Sequence, residues 1–164
     1  MSGSTPKSGL SELESETIAI FVRIVQLVGL PKSLGQIYGL IYICPKPVSM
    51  EELVERLGIS IGSASQGLRQ LRTFKAISTV YVPGERKDYY TPETEFRKLI
   101  SNFLDDQLRP HLETGNGAIE HLNALAEASP VEEREHYRNR INKLKRLHKI
   151  AGNITPAISK FVNF

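Results

Sequence analysis

The sequence predicts a mainly α fold carrying one small β-hairpin, and three observations carry that expectation. Apolar residues recur at helical spacing through most of the 164 residues. Two short helical patterns, each opened by its own N-capping serine, meet at a tight turn containing Gly58. Directly behind them, residues 77–82 form a β-branched and aromatic run; Pro83 and Gly84 break it, and Tyr89, Tyr90 and Thr91 read as a return strand stopped by Pro92.

Taken in order, residues 1–11 form an expected disordered arm, rich at its start in Ser, Gly, Pro and Lys. Residues 13–28 place Ile18, Phe21, Val22, Val25 and Val28 on one helical face, and Glu12, Glu14 and Glu16 at the start oppose the helix macrodipole. A second helix, 31–43, buries Leu34, Ile37, Tyr38 and Ile41 and is closed by Pro45 and Pro47. Ser49 with Glu52 three residues on makes a capping box for a third helix. Gly58 ends it, since glycine enters the left-handed region without steric cost, and Ser60 caps a fourth. In that fourth helix Ile61, Ala64, Leu68 and Leu71 are expected inside, with Gly62, Ser63, Ser65, Gln66, Arg69 and Thr73 on the opposite side or its flanks.

Two helices joined in this way form a helix-turn-helix, whose second helix enters the DNA major groove. A hairpin behind that helix, with Glu85, Arg86, Lys87 and Asp88 at its tip, is a wing. The predicted fold is therefore mainly α with a small β-hairpin wing, a winged helix-turn-helix with flanking dimerisation helices. Hydroxyls, an amide and a guanidinium on the outer face suit base edges and phosphates, and small residues allow close approach. The expected DNA-binding residues are Ser60, Gly62, Ser63, Ser65, Gln66 and Arg69 on the recognition helix 61–73, with Arg86 and Lys87 on the wing 77–91. The plainer alternatives are a solvated polar helix face and a charged turn. The net charge is only +3, but Arg69, Arg72, Lys75, Arg86 and Lys87 outnumber Glu85 and Asp88 between residues 61 and 91. Such a local stripe supplies salt-dependent phosphate affinity.

Three segments, LPKSLGQIYGL at 30–40, GSASQGLR at 62–69 and YVPGERKDYY at 81–90, together resemble the GbsR branch of the MarR-type winged helix-turn-helix transcription regulators. The resemblance spans roughly residues 15–105; beyond that it rests on helical character alone. It implies a homodimeric repressor in which Ser63, Ser65, Gln66 and Arg69 read the major groove and Arg86 anchors the wing. Members of that branch include regulators of choline and glycine betaine uptake or synthesis.

After the wing, residues 93–107 are amphipathic through Phe96, Leu99, Ile100, Phe103 and Leu104. Pro110 and Gly115-Asn116-Gly117 are expected to bend or interrupt the path, helix resuming over 118–128 until Pro130. A last long helix runs from 131 to about 152, with a short tail beyond Thr155-Pro156 reaching Phe161 and Phe164. So much helix outside the winged core calls for a partner surface. The expected division is residues 12–30 as an N-terminal dimerisation helix, 31–92 as the DNA-binding domain and 93–164 as a C-terminal dimerisation region, with a single-chain bundle as the alternative. The last helix is basic (Arg134, Arg138, Arg140, Lys143, Lys145, Arg146, Lys149), which reads as a solvated face opposite an apolar stripe rather than a second DNA contact.

No catalytic function is expected, since no P-loop or nucleophile elbow occurs and the four histidines lack metal-ligand spacing. No cofactor and no metal are expected. Cys44, the one cysteine, follows Ile43 at a helix C-terminus, where the dipole disfavours a thiolate; an inert thiol is favoured. No signal peptide or spanning apolar run is evident, so the expectation is a cytoplasmic protein without a membrane partner. The expected partners are double-stranded DNA, a second copy of the chain and a small-molecule effector, choline-like or other. Tyr38, Tyr42, Phe96 and Phe103 could line an aromatic cage, though their spacing equally suits a core. The function expected is a sequence-specific repressor on a pseudo-palindromic operator; the alternative is a protein–protein adaptor, whose recognition helix should show apolar anchors.

Overall fold

The computed structural model describes residues 9–162, and the chain divides into two compact units, one ending at Phe96 and the other beginning at Arg97. Most of the expected N-terminal arm, residues 1–8, lies outside the described residues.

In the first unit, α1 (Glu12–Leu27) opens with a complete capping box: Ser11 Oγ accepts from Glu14 N, and the Glu14 carboxylate accepts from Ser11 N at 2.8 Å. Helix α2 (Lys32–Ile43) crosses it closely because two glycines meet the α1 backbone. A Cβ on Gly35 would stand 2.6 Å from Val22 Cα, and one on Gly39 2.9 Å from Ile18 Cα. Leu34, Ile37, Leu40 and Ile41 of α2 are fully buried and form the centre of the core.

The chain then makes β1 (Val48–Ser49), α3 (Met50–Leu57), α4 (Ile61–Thr73), β2 (Ile77–Val80) and β3 (Tyr89–Pro92). The sheet is antiparallel with β3 in the middle, pairing Val48 with Tyr90 on one side and Thr79 with Tyr90 on the other. Tyr90 is therefore buried while Tyr89 is half-buried. Two details differ from expectation. Strand β1 adds a third strand to the hairpin, formed by the residue that caps α3 and its predecessor. The return strand ends at Pro92 itself, which is its last residue and in register with Ile77, one residue beyond the expected Tyr89–Thr91. Tyr38 Oη donates to the Glu93 carbonyl and so ties α2 to the end of the wing.

The first unit ends as α5 (Phe96–Phe103) begins. In the second unit a π-helical turn follows at Leu104–Leu108, then α6 (Arg109–Ala128) and α7 (Val131–Val162). The expected break at Gly115-Asn116-Gly117 does not occur, since α6 runs straight through it. The irregularity falls earlier, in the π turn, where a widened turn accommodates the ring and missing N–H of Pro110. Gly115 has a packing reason to be small, because a Cβ there would collide with the His148 ring. Likewise α7 continues past residue 152 through Pro156, which removes one backbone bond without ending the helix. The α6–α7 hairpin turns at Ser129-Pro130, beyond which a bidentate, solvent-exposed Arg138–Glu127 pair at 2.7 Å bridges the two helices. Ala126 and Ile141 are its buried residues there, and Leu125, Leu144, Leu147, Ile150 and Ile154 remain exposed. No described helix is long and apolar enough to cross a membrane.

Candidate nucleic-acid interface

The helix-turn-helix is built from local bonds that the sequence supplies. Ser49, with no exposed surface, caps α3 through Glu52 N while Glu52 Oε2 accepts from Ser49 N at 2.8 Å. Gly58 sits at φ 64° and its N–H closes on Val54 O, so α3 ends there and the chain turns into α4 within three residues. Ser60 Oγ then accepts from Ser63 N at 3.1 Å and starts α4.

Ala64, Gly67, Leu68 and Leu71 are the buried residues of α4. Gly67 brings the helix against α2, for a Cβ there would run into the fully buried Ile37 side chain. Opposite that face Gly62, Gln66, Arg69 and Thr73 are exposed, and Ser63 and Ser65 flank them half-buried. Ile61, expected in the core, is 67% exposed instead. Packing through Gly67 centres the contact on 64, 67, 68 and 71, leaving Ile61 just beyond its edge. Gly67 was the signal that could have shown this. At the other end Lys75 takes the left-handed conformation at φ 57°, with Ala76 N bonded to Leu71 O at 2.8 Å, turning the chain into β2.

At the wing tip Gly84 has φ 88° and Glu85 N donates to Val82 O, as in a type II turn with Pro83 ahead of glycine. Arg86 and Lys87 are exposed there, as is Tyr81, at 80%. Lys87 lies within electrostatic reach of the α3 N-terminus. The Glu51 carboxyl is held below its ordinary range by its own backbone N–H and the Ser49 hydroxyl, with Lys87 adding to the effect.

Behind α3, one guanidinium joins three segments. Arg56 donates through Nη2 to Glu14 Oε1 of α1 and through Nη1 to Cys44 Sγ at 3.3 Å, just past α2. Burial pushes the Cys44 thiol up, against the opposing pull of Arg56. The rings of Phe21, Tyr38, Tyr42 and Phe96 meet with centroids 4.9–6.2 Å apart. At such spacing they pack on one another as an aromatic cluster in which Tyr38 is buried, Phe21 and Tyr42 are half-buried and Phe96 is exposed. Phe103, also considered for a cage, belongs to the second unit. Among the described residues no group of three or more His, Cys, Asp or Glu side chains is arranged to hold a metal ion.

No family model matches the chain. Three transcription regulators of Bacillus subtilis (strain 168) are similar to it. The HTH-type regulator YvaV is 29% identical over 91 residues, 56% of this chain and 51% of that protein. The HTH-type transcriptional repressor GbsR is 27% identical over 100 residues, 61% and 55% of the two. The HTH-type transcriptional repressor OpcR is 29% identical over 87 residues, 53% and 47%. The chain thus spans about half the length of these relatives. A solved structure of a transcriptional regulator matches with a TM-score of 0.51 at 20% identity, covering 90% of this chain and 98% of that one, a likeness of fold. The resemblance to GbsR-like regulators is borne out by these matches, and so is a mainly helical winged fold. The relatives are transcription regulators, not enzymes.

Proposed function

We propose that this relative of the GbsR-like regulators is a dimeric, sequence-specific DNA-binding repressor. One observation carries the reading: α4 packs through Ala64, Gly67, Leu68 and Leu71 and turns Gly62, Gln66, Arg69 and Thr73 to solvent. Gln offers a bidentate partner for adenine and Arg one for guanine, and both need the unobstructed approach that Gly62 leaves. Ser60, Ser63 and Ser65 supply hydroxyls for base edges or phosphates, while Arg86 and Lys87 reach the backbone or a neighbouring minor groove from the wing.

Dimerisation assigns a use to exposed apolar surface on α1. On α1, Leu13, Ile20, Ile24 and Leu27 are exposed, and with Thr17 they follow the alternating three- and four-residue spacing of a coiled-coil seam. Residues 12–30 and 93–164 are accordingly the proposed dimerisation regions, and 31–92 the DNA-binding domain. Two-fold symmetry then sets two recognition helices on half-sites about one DNA turn apart. A small-molecule effector, choline-like or other, would act by favouring one spacing of those helices over another.

Fluorescence anisotropy with the DNA upstream of its own gene, against a scrambled duplex and across a salt series, tests the reading. Preference for the upstream duplex, lost in Arg69→Ala, is the expected result. Losing one bidentate contact removes about 1–3 kcal/mol of discrimination. Equal weak binding to both duplexes, indifferent to Arg69, would sink it. A second reading, a protein–protein adaptor, draws support from Ile61 and Tyr81, large apolar groups exposed on the recognition helix and the wing.

A further inference from the structure

The first turn of α4 presents a large apolar side chain that packing among the described residues leaves exposed. Ile61 is 67% exposed, while the helix is already packed through Ala64, Gly67, Leu68 and Leu71. Its neighbour Gly62 is equally unexplained from within. A Cβ built there meets nothing nearer than Ser60 Oγ at 3.9 Å, and Gly62 is not among the glycines with positive φ. Glycine weakens a helix relative to alanine. At Gly67 the buried Ile37 side chain gives a reason for it, whereas at Gly62 nothing among the described residues does.

Both residues lie at the N-terminal end of the recognition helix, the part that contacts base edges when a helix-turn-helix docks. A sec-butyl group cannot hydrogen-bond, and the apolar feature of the major groove is the thymine 5-methyl group. We propose that Ile61 is a specificity-determining residue that packs on a thymine 5-methyl in each half-site, with Gly62 letting the start of the helix approach closely enough for contact. This rests on the DNA-reading function proposed above and adds to it. Gln66 and Arg69 read hydrogen-bonding edges, and Ile61 separates thymine from cytosine where those groups do not reach.

The test uses the full chain and two duplexes of the preferred upstream DNA, one natural and one with every thymine replaced by deoxyuridine. Wild type is expected to bind the natural duplex more tightly, by about fourfold for each methyl contacted, the worth of one buried carbon. Ile61→Ala is expected to bind both duplexes alike, and Ile61→Val to keep part of the difference. Gly62→Ala should bind the natural duplex less tightly than wild type without melting at a lower temperature. If wild type and Ile61→Ala lose the same affinity on deoxyuridine, or neither loses any, the contact is overturned while DNA reading stands. If wild type shows no preference for upstream over scrambled DNA, the DNA-reading function and the Ile61 contact fall together.

Discussion

Arg56 does more for the helix-turn-helix than its distance from the outer face of α4 suggests. Its side chain is about a quarter exposed, its guanidinium spans the Glu14 carboxylate and the Cys44 sulfur, and the Glu14 side chain is only 15% exposed. Glu14 uses one oxygen for Arg56 and the other for Ser11 N, so a single carboxylate caps α1 and fixes α3 against it. Burial raises the Glu14 pKa, but the Arg56 and Ser11 bonds outweigh it and hold the group below its ordinary value of 4.5. A carboxyl depressed in the folded state stabilises above its unfolded pKa, and that stability is lost as pH falls through the folded value. Chemical denaturation of wild type should therefore show stability falling as pH drops below about 4.5. Glu14→Gln should flatten that dependence and cost roughly 1.5–3 kcal/mol at neutral pH, the worth of a hydrogen bond to a charged group. An unchanged pH profile in Glu14→Gln would mean that the pair is structurally idle.

At the scale of elements, the glycines of this chain separate into those the fold needs and those it does not. Gly35 stands against the α1 backbone, with Val22 Cα, Val22 N and the Phe21 carbonyl all within 2.8 Å of an added Cβ. Backbone cannot swing aside, so Gly35→Ala must push α1 off α2, and a loss of at least 1–3 kcal/mol is expected, as for an overpacked core. Gly62→Ala, with open space around it, should instead gain about 0.5–1 kcal/mol from helix propensity. Thermal melts of the two variants in parallel check both signs. The same contrast shows what could be read beforehand. The helix-turn-helix was legible because its signals are local: Ser49 with Glu52, Gly58 and Ser60 each act within four residues. The close crossing at Gly35 and Gly39 was not, since nothing near them in the chain says that α1 lies across α2. Strand β1 was hidden because two residues carry no period, and Val48–Ser49 become a strand only by pairing with Tyr89 and Tyr90. Ile61 sat one position outside a face whose edge is set by Gly67, a matter of tertiary packing. At Gly115-Asn116-Gly117 a break was expected where α6 instead makes room for His148.

Over the whole molecule, the exposed apolar seams make oligomeric state the quantity on which the proposed mechanism turns. Leu27 at the end of α1 is 86% exposed, and Leu13, Ile20 and Ile24 continue the line. In the second unit Leu144, Leu147, Ile154 and Ile158 give α7 an exposed apolar line of its own. An exposed apolar line along a helix is the kind of surface on which a partner helix packs. Burying one Leu or Ile side chain is worth about 1.5–3 kcal/mol, and in a two-fold interface each residue counts twice. Sedimentation equilibrium should therefore find wild type dimeric, with Ile20→Lys shifting it toward monomer by about 3 kcal/mol or more, a factor above ~100 in the dissociation constant. Ile20 is a surface residue of the free chain, so the helical circular-dichroism signal should survive the change. DNA binding should then weaken together with dimerisation, and the slope of log affinity against log salt should shrink, because one winged unit contacts fewer phosphates than two. A monomeric wild type with full operator affinity would remove the dimer from the mechanism and leave a single recognition helix to account for all of the specificity.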